Sequence, residues 1–140
     1  MAGWSLYLDQ GGHCTYLYNW FGHVLTTLRD PRPLAAGKHL LSMVYLHDGG
    51  FGAGGQAALF VDGSKVSTAR IERTVPIMFS MSGETFDVGR DTGSPVGPYP
   101  HQFPCTALIS WVELERLSEP DAATRLAMAE GEFRAGLRAQ

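Results

Sequence analysis

The sequence has 140 residues, 44% of them hydrophobic and 18% charged, which fits one domain with its own core and excludes global disorder. Its formal net charge is −3, and Lys and Arg form no cluster, which disfavours binding to a nucleic-acid backbone. The 17 Gly and 8 Pro residues indicate many turns, and therefore many short strands rather than a few long helices.

In chain order, the first third of the sequence predicts a hairpin and a third strand. Alternating and aromatic residues predict strands over residues 5–8, 14–20 and 24–28, and the polar residues 9–12 predict the first turn. Residues 30–33 contain Pro31 and Pro33. Because proline has no N–H to give to a ladder, this segment is expected to end the third strand and cannot lie mid-sheet.

The middle of the chain continues the same pattern of strands and turns. A long strand is predicted over residues 40–46, followed by a loop over 48–55 that holds five glycines. Asp62-Gly63 lies between two strand-like runs and is a strong signal for a two-residue hairpin turn. Residues 69–74 lead through Val75-Pro76 to further strands, which are predicted over residues 77–81 and 107–114.

The last part of the chain has helical rather than strand periodicity. Ser118 is placed to cap a helix, with Pro120 in its first turn and Asp121 three positions after the cap. Apolar residues then recur at helical spacing on one face at Ala122, Leu126, Ala129, Phe133 and Leu137. We therefore divide the chain into a β-domain over residues 1–117 and a helical tail over 118–140. About nine strands and one helix predict an all-β, antiparallel β-sandwich.

Several short segments resemble the C-terminal region of bacterial arylsulfatases, in the same order along the chain. They extend from about Gly3 to about Leu114 and include Tyr18-Asn19-Trp20-Phe21-Gly22, Asp48-Gly49-Gly50, Leu59-Phe60-Val61-Asp62-Gly63, Arg70-Ile71-Glu72-Arg73-Thr74-Val75-Pro76 and residues 84–96. The resemblance implies a jelly-roll sandwich of the concanavalin or laminin-G type. The sulfatase nucleophile lies upstream of this region in a Cys-x-Pro-Ser-Arg motif. Cys14 and Cys105 are followed by other residues, and the calcium-binding Asp, Asn and His cluster has no counterpart.

Two acidic residues are the candidate metal ligands. Asp87 and Asp91 can offer carboxylate oxygens to a calcium ion, as loops of sandwich domains often do. The alternative is that both carboxylates accept hydrogen bonds from nearby N–H groups and hold turns, and turn statistics favour it. No other cofactor is expected.

Other polar residues give weaker indications of a site. His47-Asp48 with His39 has too few partners for zinc, and a turn role is favoured for Asp48. His13 and Cys14 are adjacent on a predicted strand, so their side chains point to opposite faces and do not form a catalytic pair. Cys14 and Cys105 are expected to be free, partly buried thiols.

Aromatic residues of the second strand form the candidate ligand face. Tyr16, Tyr18 and Trp20 alternate along the strand and therefore share one side of it. That side is either the core or a platform on which sugars stack, and the average burial of such rings favours the core.

Three functional hypotheses follow. The first is a non-catalytic sandwich unit, with self-association or a sulfatase catalytic domain as its partner and a role in assembly or substrate access. The second is a carbohydrate-binding, lectin-like module, and the third is a protein grouped with arylsulfatases by inheritance but without the active site. The sequence contains no apolar run of membrane-spanning length, no predicted signal peptide and no Asn-x-Ser/Thr site. We therefore expect a cytoplasmic location, with neither a membrane nor a nucleic acid as partner.

Overall fold

The computed structural model describes residues 2–76 and 86–116. Over these residues the chain is all-β, and none of them lies in a helix, so no described helix is long and apolar enough to cross a membrane. The six strands are β1 (Gly3–Leu8), β2 (His13–Trp20), β3 (Val24–Pro33), β4 (Leu41–His47), β5 (Ala53–Val61) and β6 (Ser64–Arg73). They form two antiparallel three-stranded sheets, with strand orders β1-β2-β3 and β4-β5-β6.

In the first sheet, the predicted hairpin is confirmed and the third strand is longer than expected. Asp9 holds the β1–β2 turn, because its Oδ1 accepts the N–H groups of Gly11 and His13 at 2.9 and 3.0 Å. β3 continues through Pro31 to Pro33, so the prediction that the strand ends before the prolines is wrong. The prolines are tolerated because β3 is an edge strand, and a register shift interrupts its pairing between His13 and Thr15.

The second sheet confirms the predicted Asp62-Gly63 turn and shortens the glycine-rich loop. Asp62 and Gly63 have φ angles of 52° and 79°, as a type I′ hairpin turn requires. Gly54 and Gly55 lie in β5 rather than in the loop. A Cβ at Gly54 would collide with the carbonyl oxygen of Ile71, so this glycine allows the strands to approach closely rather than the chain to bend.

The two sheets share one hydrophobic core. Alternate residues of each strand point inward, so the core takes every second side chain of β2 and β5. Its fully buried members are Cys14, Tyr16, Tyr18 and Leu28 from the first sheet and Ala57, Leu59 and Ile71 from the second. The edge strands β3 and β6 also lie close to each other. This arrangement is sandwich-like.

Residues 96–99 lie over the outer face of the first sheet. The Asn19 side chain donates to the carbonyl oxygen of Val96 at 2.7 Å, and a Cβ placed on Gly97 would contact the Leu17 side chain. The Tyr7 ring meets the Tyr99 ring edge-on at 4.9 Å between centroids. These contacts bury Leu17 and Asn19 on the side of β2 that faces away from the shared core.

The predicted strand over residues 107–114 forms no strand with any described residue. Its large apolar side chains are exposed, and Leu108 reaches 93%. Apolar alternation identifies residues suited to a strand but does not supply the neighbouring strand that a ladder needs. The predicted strand over 77–81 and the predicted helix from Ser118 to Leu137 lie outside the described residues.

Candidate functional site

The three aromatic residues proposed as a ligand face point into the shared core. Tyr16 and Tyr18 are buried, and burial raises the pKa of the Tyr16 phenol. The Tyr18 hydroxyl accepts the Val75 N–H at 2.8 Å, which ties β2 to the residues that follow β6. Trp20, at the end of β2, is only partly buried. Tyr16 and Tyr18 therefore do not lie on an exposed platform.

Trp20 leads from the core to an exposed surface at the β2–β3 turn. Its ring meets the Phe21 ring edge-on at 5.5 Å, and the Arg73 guanidinium lies 5.8 Å from the centroid of the Trp20 ring. We call Phe21, Val24 and Leu25 the hairpin tip; their exposures are 43%, 50% and 50%. Sequence reasoning missed this surface, because its residues were assigned to a strand and its turn with no account of which would be covered.

Asp87 and Asp91 each bind their own nearby donors. Asp87 Oδ2 accepts the N–H and the hydroxyl of Thr92 at 2.8 and 2.5 Å, and these bonds lower the pKa of the Asp87 carboxyl. Asp91 Oδ2 accepts the Tyr99 hydroxyl at 2.9 Å. Both carboxylates thus make the contacts of turn-holding residues. Among residues 2–76 and 86–116, no three His, Cys, Asp or Glu side chains are grouped to hold a metal ion.

The histidines that sequence reasoning grouped together have separate partners. His47 Nδ1 accepts the Gly49 N–H at 3.0 Å, while Asp48 pairs with Arg70 at 2.6 Å. That hydrogen bond lowers the pKa of the exposed Asp48 carboxyl. His39 instead contacts Asp62, 23 residues further along the chain. Neither the spacing nor the composition around His39 carries a signal for this contact, because it depends on how the second sheet folds back.

The two cysteines differ from the expectation of two partly buried thiols. Both are free, but Cys14 is 1% exposed in the core and Cys105 is exposed. Burial, with a further contribution from Asp30, raises the pKa of Cys14 to about 12, so this thiol stays protonated at neutral pH. The neighbouring His13 points its Nδ1 at the Asp30 carbonyl oxygen, 2.9 Å away.

Comparisons with known proteins do not decide among the hypotheses. No protein-family model, no curated protein and no solved structure matches this chain. The residues that the structure brings together are therefore the grounds on which a function can be proposed: the core aromatics, the exposed hairpin tip, and the carboxylates that hold turns.

Proposed function

We propose that this chain is a non-catalytic β-sandwich unit, related to the C-terminal region of arylsulfatases, that acts in assembly or in controlling substrate access. On this proposal its two sheets belong to a jelly roll of the concanavalin or laminin-G type. Its partner is either a second copy of the chain or a sulfatase catalytic domain. The observation that carries the proposal is the hairpin tip, where three neighbouring apolar side chains are about half exposed.

Exposed apolar side chains that lie together favour a covering partner. Scattered single apolar residues are normal on a surface, whereas a group of them is typical of an interaction site. Phe21, Val24 and Leu25 form such a group around one turn, and Phe21 also contacts Trp20. Burying them against a partner would recover about 25 cal/mol for each Å² of apolar surface removed from water.

The polar residues of the motifs that resemble arylsulfatases support a structural role. Asp48 pairs with Arg70, Asp62 with His39, and Asp87 with Thr92. Each of these carboxylates lies at or beside a turn and holds it or joins it to another segment. Such residues preserve the shape of a domain, as expected for a unit whose role is to pack on something else.

The first test measures the mass of the full chain by light scattering over a range of concentrations. We expect a species heavier than the 15.2 kDa monomer. The double variant Phe21→Asn, Leu25→Thr should shift this species towards the monomer, because it removes the apolar tip while suiting the turn and the strand. Phe51→Ser is the matched control, since Phe51 is 81% exposed at a different turn. A monomer at every concentration contradicts self-association.

The second arm of the test concerns the catalytic-domain partner. A separately produced sulfatase catalytic domain should retain the wild-type chain in a pull-down and lose the tip variant. If the wild-type chain is a monomer and is not retained either, the proposed role in assembly is wrong. Turnover of an aryl sulfate that is abolished by Cys14→Ala or Cys105→Ala would overturn the non-catalytic assignment.

Carbohydrate binding is the second candidate, and the exposed ring beside Trp20 is the observation that favours it. Phe21 and Trp20 place aromatic surface at the hairpin tip, with the Arg73 guanidinium nearby as a group that can attract a sulfate. Binding of the wild-type chain to sulfated polysaccharides, reduced in Phe21→Asn and unchanged in Phe51→Ser, would support this candidate. Equal binding by all three proteins would rule the tip out as the sugar site.

A further inference from the structure

The segment over residues 34–40 joins the first sheet to the second and is held by one carboxylate. Asp62, in the β5–β6 turn, accepts the Leu40 N–H through Oδ1 at 2.9 Å, and its own N–H donates to the Leu40 carbonyl at 2.8 Å. Its other oxygen, Oδ2, lies 2.7 Å from His39 Nδ1. We call residues 34–40 the crossover segment. Its end beside β4 is therefore fixed to the β5–β6 turn.

His39 contacts an acceptor through each of its ring nitrogens. Nδ1 faces the Asp62 carboxylate, and Nε2 lies 2.8 Å from the Ala35 carbonyl oxygen. Neither oxygen can donate, so both nitrogens must carry a hydrogen for both bonds to exist. The geometry is that of the charged imidazolium. The hydrogen bond from Asp62, followed by that from Ala35, accordingly raises the pKa of His39 above its ordinary value.

Asp62 and the Ala35 carbonyl are the two groups that favour the charged ring. Lys38 precedes His39 in the crossover segment, and Lys65 lies at the start of β6. Neither lysine contributes to the pKa of His39, which is raised by Asp62 and Ala35 and lowered only by partial burial. β4 begins at Leu41 and has no charged residue before His47. Within the described residues, protonation of His39 thus depends on the contact with the β5–β6 turn.

We propose that the proton on His39 locks the crossover segment, and that its loss releases the Ala35 end of that segment. The neutral ring keeps one N–H, which stays on the carboxylate because a charged acceptor binds a hydrogen more strongly. The second nitrogen then directs a lone pair at the Ala35 carbonyl oxygen, so that hydrogen bond is lost. The proton passes to solvent. The device is independent of the proposed function in assembly.

The sign of the effect on stability follows from the direction of the shift. A basic group whose pKa is raised by folding stabilises the folded state fully below its unfolded pKa, which is about 6.5 for histidine. This contribution is lost as the pH rises through the folded pKa of His39. For one net hydrogen bond, the equilibrium constant for unfolding should rise about fivefold.

The test follows His39 in the ¹⁵N-labelled full chain by NMR from about pH 5 to about pH 9. We expect the His39 ring to titrate at higher pH than in the urea-unfolded chain, and the difference to vanish in Asp62→Asn. Over the same range, backbone relaxation should show residues 35–38 becoming more mobile as the ring deprotonates. His39→Gln, which does not titrate, should abolish the pH dependence of both mobility and unfolding.

Three results would overturn the proposal. The first is a His39 ring that titrates at or below the pH of the unfolded reference. The second is a crossover segment whose mobility is independent of pH in the wild type, and the third is a His39→Gln variant that keeps the full pH dependence. Urea unfolding of every variant at about pH 5 identifies variants that fail to fold, and the titration of the wild-type ring then decides alone.

Discussion

Two hairpin turns of this chain share a backbone conformation and differ in the side chain that occupies it. In the β2–β3 turn, Phe21 and Gly22 have φ angles of 50° and 74°; in the β5–β6 turn, Asp62 and Gly63 have 52° and 79°. Asp62 binds the crossover segment through both oxygens, whereas Phe21 is 43% exposed. One turn is anchored to the rest of the fold, and the other presents an apolar side chain to the surface.

The difference indicates that the two turns serve different purposes. Asp and Asn are enriched at positive φ because their short polar side chains bond locally, while a bulky residue there is an outlier that costs about 1–3 kcal/mol. Asp62 is therefore explained by its contacts within the fold. Phe21 has one described ring contact besides Trp20's edge and gains little from its position, so it fits a residue retained for contact with a partner.

The largest expected effect comes from removing the anchor. Asp62→Ala eliminates the bonds to His39 and Leu40 and places a side chain without local bonding at positive φ. We expect the free energy of unfolding to fall by about 2–3 kcal/mol, measured by urea unfolding.

Asp62→Asn is the matched control for the anchor. Its amide still tolerates positive φ and can accept the Leu40 N–H, so the loss should be clearly smaller than in Asp62→Ala. If Asp62→Ala unfolds at the wild-type urea concentration, the anchoring role is wrong and the two turns are equivalent.

A smaller effect is expected from the opposite change at the other turn. Phe21→Asn relieves the strain at positive φ and loses the ring contact with Trp20, two terms of about 1 kcal/mol with opposite signs. The free energy of unfolding should therefore change by less than about 1 kcal/mol, as urea unfolding of a dilute sample would show. A loss as large as that of Asp62→Ala would mean that Phe21 belongs to the core rather than to an interaction surface.

The same two turns show how far the sequence predicts the fold. Asp62-Gly63 was predictable, because this residue pair has a backbone preference that specifies the hairpin and its register. Phe21-Gly22 has no such preference, and its turn follows from the strands on either side. Pro31 and Pro33 were misassigned because proline excludes a central strand but permits an edge strand, and the position of a strand in its sheet is not local information.

The candidate sites depended even more on contacts between distant residues. Tyr16, Tyr18 and Trp20 could be placed on one face from period-two alternation alone, but the sequence did not show that this face meets β4, β5 and β6. The contact of His39 with Asp62 joins two segments that neither periodicity nor spacing relates. Buried and exposed aromatics, or paired and free histidines, are distinguished by the packing of the two sheets.

The smallest effect is expected at a third group of turn residues, where Asp87 and Asp91 resemble Asp62 in binding local donors. Calcium at Asp87 would have to compete with the Thr92 N–H and hydroxyl for the same oxygen. We therefore expect the melting temperature to be unchanged by excess calcium or by a chelator.

The melt is a decisive measurement for these carboxylates because binding to the folded state alone would be visible. A ligand at about a hundred times its Kd stabilises by about 2.7 kcal/mol, which is several degrees for a domain of this size. A rise in melting temperature that increases with calcium and disappears in both Asp87→Asn and Asp91→Asn would show that these carboxylates bind an ion. In that case Asp62, whose oxygens are both committed to His39 and Leu40, would remain the one purely structural member of the three.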